Sequence, residues 1–177
     1  GDWPFNTVVE NACRSCHRPH TAGGHERLLI FNNDEDNCLI CHDGQVARTN
    51  IRAELDKAAA HDPRNYTGRH DPAETRPEAQ PHVECADCHN PHAVASQPPI
   101  SGYVPIGATL SQVKGVNIGG ALVERAQYEY EVCFRCHGDG AVPVSGRIGR
   151  QAAGDNVRIE FSPTNPNRTG CVMTNSF

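Results

Sequence analysis

Regular alternation of apolar and polar positions is scarce along the 177 residues, and where it occurs it is short. Behind Asn50, a residue type whose side chain caps free backbone N–H groups, Ile51, Leu55 and Ala58 or Ala59 recur at helical spacing, so 50–60 predicts a helix. Within the stretch Gln97 to Gly120, Val104, Ile106 and Ala108 alternate as on a half-buried strand. Gly119-Gly120 punctuates the chain before Leu122, Ala126 and Tyr130, whose spacing predicts a helix leading into Cys133. Beyond His137, Gly and Pro interrupt every pattern except a candidate strand at Val157 to Phe161 and the apolar end Cys171-Val172-Met173. The predicted fold class is mostly irregular chain with short helices and few small strands.

Composition makes that prediction a problem for core formation. Apolar residues are 37% of the chain and aromatics 6%, with 16 Gly and 13 Pro. Leu, Ile, Val and Phe together fall just under the roughly one-fifth level below which highly charged chains are disordered. The net charge is only -5, so something other than side chains must supply the core. No apolar run approaches the roughly 18 residues of a membrane span. With 16 basic against 21 acidic residues and no basic block, a nucleic-acid partner is excluded.

The missing material is announced by cysteine and histidine. Eight of the 9 Cys form pairs, each closed by a histidine: Cys13-Arg14-Ser15-Cys16-His17, Cys38-Leu39-Ile40-Cys41-His42, Cys85-Ala86-Asp87-Cys88-His89 and Cys133-Phe134-Arg135-Cys136-His137. Chance at this composition gives roughly 0.03 such strings, so the repetition is a signal, and its type is the c-type haem attachment string. Two thiols three residues apart on a helical turn reach the two vinyl groups of one porphyrin, and the next histidine is aimed at the iron. Zinc sites and redox dithiols also use CxxC pairs, but zinc needs no histidine after every second cysteine, and a dithiol would sit once in a βαβ context. Four motifs predict four c-type haems. Their macrocycles then replace the missing core, and the polypeptide wraps as a jacket around a haem stack.

Each iron also needs a sixth ligand. Met173 is the only methionine, whereas His20, His25, His61, His70, His82 and His92 all lie outside the motifs. Six histidines for four places favour bis-histidine coordination, which leaves no open position for substrate and points to electron transfer rather than catalysis. His20 and His92 stand out because Cys16-His17-Arg18-Pro19-His20 and Cys88-His89-Asn90-Pro91-His92 share the form C-H-x-P-H. Proline ends the motif helix there and turns the second histidine away from its own haem toward a neighbouring iron. His61 and His70 repeat as His-Asp-Pro, and His82 leads directly into the third motif; these three complete the expected ligand set. A histidine left over hydrogen-bonds a propionate or faces solvent.

The stretch Cys13 to His42, with Leu28-Leu29 and then Cys38-Leu39-Ile40-Cys41-His42-Asp43-Gly44, resembles the doubled CxxCH module of multihaem cytochromes c. His82 to His92 is similar to a string found in multihaem cytochromes of metal-reducing bacteria, whose tetrahaem members include extracellular filament subunits. The resemblance spans roughly residues 11 to 137. It implies that His20 serves the haem of Cys38 and Cys41, that His92 serves another haem of the second pair, and that one subunit can lend a distal histidine to the next.

One tetrahaem domain, 1–177, is expected: a first haem pair at 11–44, a bridge at 45–84, a second pair at 85–137 and a C-terminal arm at 138–177. Four haems with ionised propionates add about -4 to the acidic balance, which steers in cationic redox partners or mineral surfaces. Cytochrome c maturation occurs outside the cytoplasmic membrane, so the expected location is extracellular or at the cell surface, with the periplasm as the alternative. The leading functional expectation is long-range electron transfer by identical subunits joined head to tail. A monomeric periplasmic shuttle is the alternative. A reductase subunit ranks last, because every motif ends in His and Lys57 and Lys114 lie elsewhere.

Overall fold

The structure is a computed structural model and describes residues 7–65, 83–93, 106–138 and 158–159. The fold is short-helical with little sheet, as the sparse periodicity predicts. It divides into two compact units, one formed by Gly1–His70 with Val83–Cys85, the other by Asp71–His82 with Ala86–Phe177.

In the first unit, helix α1 (Val8–Asn11) starts from a reciprocal cap in which Thr7 N–H donates to Glu10 Oε2 at 3.0 Å and Glu10 N–H to Thr7 Oγ1 at 3.2 Å. A 3₁₀ turn at Ala12–Ser15 carries the chain into the first motif. The chain then doubles back. Arg18 N–H donates to the Leu28 carbonyl at 2.7 Å and Ile30 N–H to that of Cys16 at 3.0 Å, a bridge centred on His17 and Leu29. The reversal uses left-handed backbone at Gly23 (φ 63°) and Gly24 (φ 87°), and the non-glycine residues Arg27 and Leu28 adopt it too, at 54° and 58°.

Helix α2 (Asp34–Leu39) carries Asp34, Glu35 and Asp36 in its first turn, where they complement the free N–H groups. Asn37 ties it to the preceding loop, donating to the Phe31 and Asn33 carbonyls at 3.2 and 3.0 Å and accepting from Phe31 N–H at 3.1 Å. Helix α3 (Ile51–Leu55) is capped by Asn50, whose side chain accepts from Ala53 N–H at 3.0 Å, as predicted. It ends five residues short of the expected Ala60. The reason is Arg64, which donates to the Leu55 carbonyl at 3.2 Å and pairs with Asp56 and Asp62 at 2.8 Å each. The helix end is thus satisfied by a side chain rather than by another turn.

Helix α4 (Cys85–Cys88) carries the third motif. In the second unit, strands β1 (Gly115–Val116) and β2 (Leu122–Val123) form a small antiparallel hairpin with Val116 opposite Leu122. Helix α5 (Glu129–His137) packs on β1 and carries the fourth motif. Val113, Ala126 and Val132 make the buried cluster, with Cys88, Ile106 and Leu110 against it.

Three expectations are corrected here. Residues 106–107 are irregular and Ala108–Leu110 is a 3₁₀ turn, so no strand covers Ile106 and Ala108; Val104 lies outside the described residues. The helix expected from Gly119-Gly120 starts only at Glu129. Gly120 (φ 87°) instead closes the hairpin turn, and of the supposed stripe only Ala126 is buried, Leu122 and Tyr130 being 48% and 39% exposed. The start of α5 is set by Glu131, which reaches back to accept from the N–H groups of Gln127 and Tyr128 at 2.7 and 3.3 Å. Residues 158–159 are helical rather than strand; the rest of that candidate strand lies outside the described residues.

Candidate haem-binding site

The first three motifs to be read in local detail share one backbone device, a helical turn that brings both cysteines and the histidine to one side. Cys16 and His17 N–H donate to the Cys13 carbonyl at 3.2 and 2.9 Å, and Cys41 and His42 N–H to that of Cys38 at 3.2 and 3.0 Å. The third pair is contained in α4, and the fourth closes α5. Cys13 and Cys133 are exposed, and the other six motif thiols are half-buried.

The proximal histidines are oriented by main-chain carbonyls. His17 Nδ1 lies 2.8 Å from the Arg27 carbonyl oxygen, and His89 Nδ1 lies 2.9 Å from that of Thr109. A carbonyl only accepts, so Nδ1 carries the hydrogen in both rings and Nε2 keeps its lone pair. That is the tautomer and the outer support an iron-binding imidazole requires.

The two carbonyls come from the same local structure. Arg27 is the middle residue of the 3₁₀ turn Glu26–Leu28, and Thr109 is the middle residue of Ala108–Leu110. Each turn is closed in the same way, by Leu28 and Leu29 N–H in one case and by Leu110 and Ser111 N–H in the other. The C-H-x-P-H strings also form equivalent turns: Thr21 N–H donates to the Arg18 carbonyl at 3.2 Å, and Ala93 N–H to that of Asn90 at 2.9 Å. Pro19 and Pro91 occupy the second turn position, where their fixed φ is favourable. Residues 83–138 therefore repeat the architecture of the first module. The chain grows between His92 and the 3₁₀ turn and again at the β1–β2 hairpin, which accounts for 48 rather than 25 residues between first cysteines.

Electrostatics repeats as well. The Cys16 thiol is pushed up by burial and by the neighbouring Cys38 and Cys41 sulfurs. Cys88 is pushed up to about 11, by burial first and then by Asp87 and Cys136. In each module the second cysteine of one motif thus lies beside the cysteines of the other. Within the first unit the Cys85 thiol hydrogen-bonds the Cys38 sulfur, which raises Cys85 and lowers Cys38. Two attachment points of different motifs adjoin there.

Of the expected distal ligands, His20 and His92 are exposed in their turns and His61 is exposed after α3; His70 and His82 lie outside the described residues. The structure adds one signal that sequence reasoning ranked low. Half-buried His25 places Nδ1 3.1 Å from the Leu29 carbonyl and so leaves Nε2 free in the same tautomer as His17. The carbonyl supports themselves were also missed, because Thr109 lies 20 residues from His89. A repeat of Leu28 and Leu110 behind each C-H-x-P-H string was the available clue.

Donor types and tautomers fit a c-type haem: paired thiols for thioether bonds and imidazoles with Nε2 left for iron. Residues 6–47 match a family model described as the doubled CXXCH motif. No curated protein and no solved structure gives a match to the chain. The matched segment is a doubled c-type haem-binding motif, and its character is that of an electron-transfer cytochrome rather than an enzyme. Among the described residues, no helix is long and apolar enough to cross a membrane.

Proposed function

We propose that this chain is a tetrahaem electron-transfer subunit. Cys13 and Cys16, Cys38 and Cys41, Cys85 and Cys88, and Cys133 and Cys136 would each anchor one haem, with His17, His42, His89 and His137 as proximal ligands. His20, His61, His70, His82 and His92 supply the distal positions. The observation that carries this reading is the repeated support of His17 and His89 by the middle carbonyl of a 3₁₀ turn, which extends the doubled motif to a part of the chain outside the matched segment.

Bound haem supplies reversible one-electron chemistry between ferric and ferrous iron. The chain's own task is to anchor each group twice, fix the imidazole tautomer, close the sixth position against small ligands and hold neighbouring sites at constant separation. None of these tasks needs a general acid or base.

The same reading takes the chain to be an extracellular filament subunit, joined head to tail so that haem sites run on from one copy to the next. Its support is the spare histidine and the extended chain beyond the fourth motif. Intact-mass measurement of native protein tests the first part, four covalent haems being expected. Electron microscopy of the same material tests the second. Filaments with a short axial repeat are expected, and discrete particles would replace the filament reading with that of a periplasmic shuttle.

A further inference from the structure

The two modules hold their motifs together by different means. In the first, 25 residues separate the leading cysteines, and a local bridge through Arg18, Leu28, Cys16 and Ile30 closes the connection. In the second, the separation is 48 residues with a hairpin inserted. A longer connection leaves more freedom to be removed, so register needs a contact between the motifs themselves.

That contact exists. Arg135, the third residue of the fourth motif, donates from Nη1 to the main-chain oxygen of Asp87, the third residue of the third motif, at 2.7 Å. Its Nη2 lies 3.6 Å from Asp87 Oδ1, with the two side chains only 7% and 13% exposed. At the same position the first module carries Ser15 and Ile40, which cannot form an ion pair. Residues inside a CxxCH string have no part in attachment, so a buried, oppositely charged pair at matching positions has another reason to be there. A planar guanidinium that engages a carbonyl and a carboxylate together fixes orientation as well as distance, which a point charge does not.

We propose that Arg135 is a positioning residue that clamps the third and fourth haem-attachment motifs to each other and so sets the relative placement, and with it the electronic coupling, of the haems they anchor. This rests on the tetrahaem reading. The clamp explains why the motif helix α5 tolerates a buried charge, and why Asp87 stands between two attachment cysteines despite adding negative charge beside Cys88.

The test uses intact holoprotein with Arg135→Met, Asp87→Asn and Arg135→Lys, and Arg125→Met as a control for loss of a surface charge. Three quantities are read: haems per chain by intact mass, the exciton couplet in Soret circular dichroism, and potentials by spectroelectrochemistry. Arg135→Met is expected to keep four haems and lose the share of the couplet that the second pair contributes. Asp87→Asn, which retains the carbonyl acceptor, should lose less, and Arg135→Lys should keep the potentials near native while still weakening the couplet. Four haems with a native couplet in Arg135→Met overturn the proposal. If that variant does not load four haems, native couplets in both Asp87→Asn and Arg135→Lys overturn it, and weakened couplets support it. Fewer than four haems on the native chain would instead overturn the tetrahaem reading.

Discussion

Glu35 opens the turn before Cys38 and is only 4% exposed, with Oε1 buried and lacking a hydrogen-bond partner among the described residues. Burial raises its carboxyl above the ordinary range; a main-chain N–H works against that, and Asp34 and Asp36 add to it. A carboxyl raised on folding contributes stability that is full below its unfolded value and is lost as pH rises through the folded one. Glu35→Gln is therefore expected to stabilise the holoprotein near neutrality by on the order of 1 kcal/mol, with the difference vanishing in acid below the carboxylate range. Denaturant unfolding at the two pH values checks this. A variant no more stable than native at neutrality would show that the carboxylate is compensated.

His20 belongs to the same scale. Its turn directs it away from the His17 ring, and the thioether anchors do not depend on it. His20→Ala is expected to retain four haems by mass while one iron in four becomes high-spin in paramagnetic resonance. An unchanged spin state would reduce His20 to a turn residue.

At the scale of elements, the packing of β1 on α5 is held close by the absence of one side chain. A Cβ on Gly115 would meet the Cβ atoms of Ala126 and Glu131 at 3.0 Å each. Gly115→Ala must push α5 away or distort the hairpin, at a cost of about 1–3 kcal/mol. A lowered denaturation midpoint at full haem content checks it. Because α5 carries Cys133, Cys136 and His137, the same change should also disturb the fourth site before the others. The device at the start of α5 is similar in kind: Glu131 is buried not as a stray charge but as the acceptor for two otherwise unsatisfied N–H groups.

At the scale of the whole molecule, the charge of -5 is joined by about -4 from the propionates of four haems, so copies repel at low salt. Assembly into filaments then requires specific contact surface, and the chain after Gly140 has too few apolar positions to form a core of its own. Removing it is expected to leave four haems per chain and abolish filaments, as judged by mass and by electron microscopy. Polymerisation of the trimmed protein would remove the arm from the assembly surface.

Covalent chemistry was legible in the sequence because it is local. Attachment needs two thiols and an imidazole within one helical turn, so each CxxCH string carries its own geometry, and Asn50 capped its helix for the same short-range reason. Thin apolar composition was enough to place the fold among short helices and irregular chain. What the tertiary structure decided depends on partners distant in the chain. Only folding brings the Thr109 carbonyl to His89, Arg135 to Asp87 and Arg64 to the end of α3. The same cause overturned the helix expected through Leu122, Ala126 and Tyr130. Their spacing satisfies a helical period, but hairpin pairing at Leu122 and the reach of Glu131 give those backbone groups other partners, and periodicity carries no information about which partner wins.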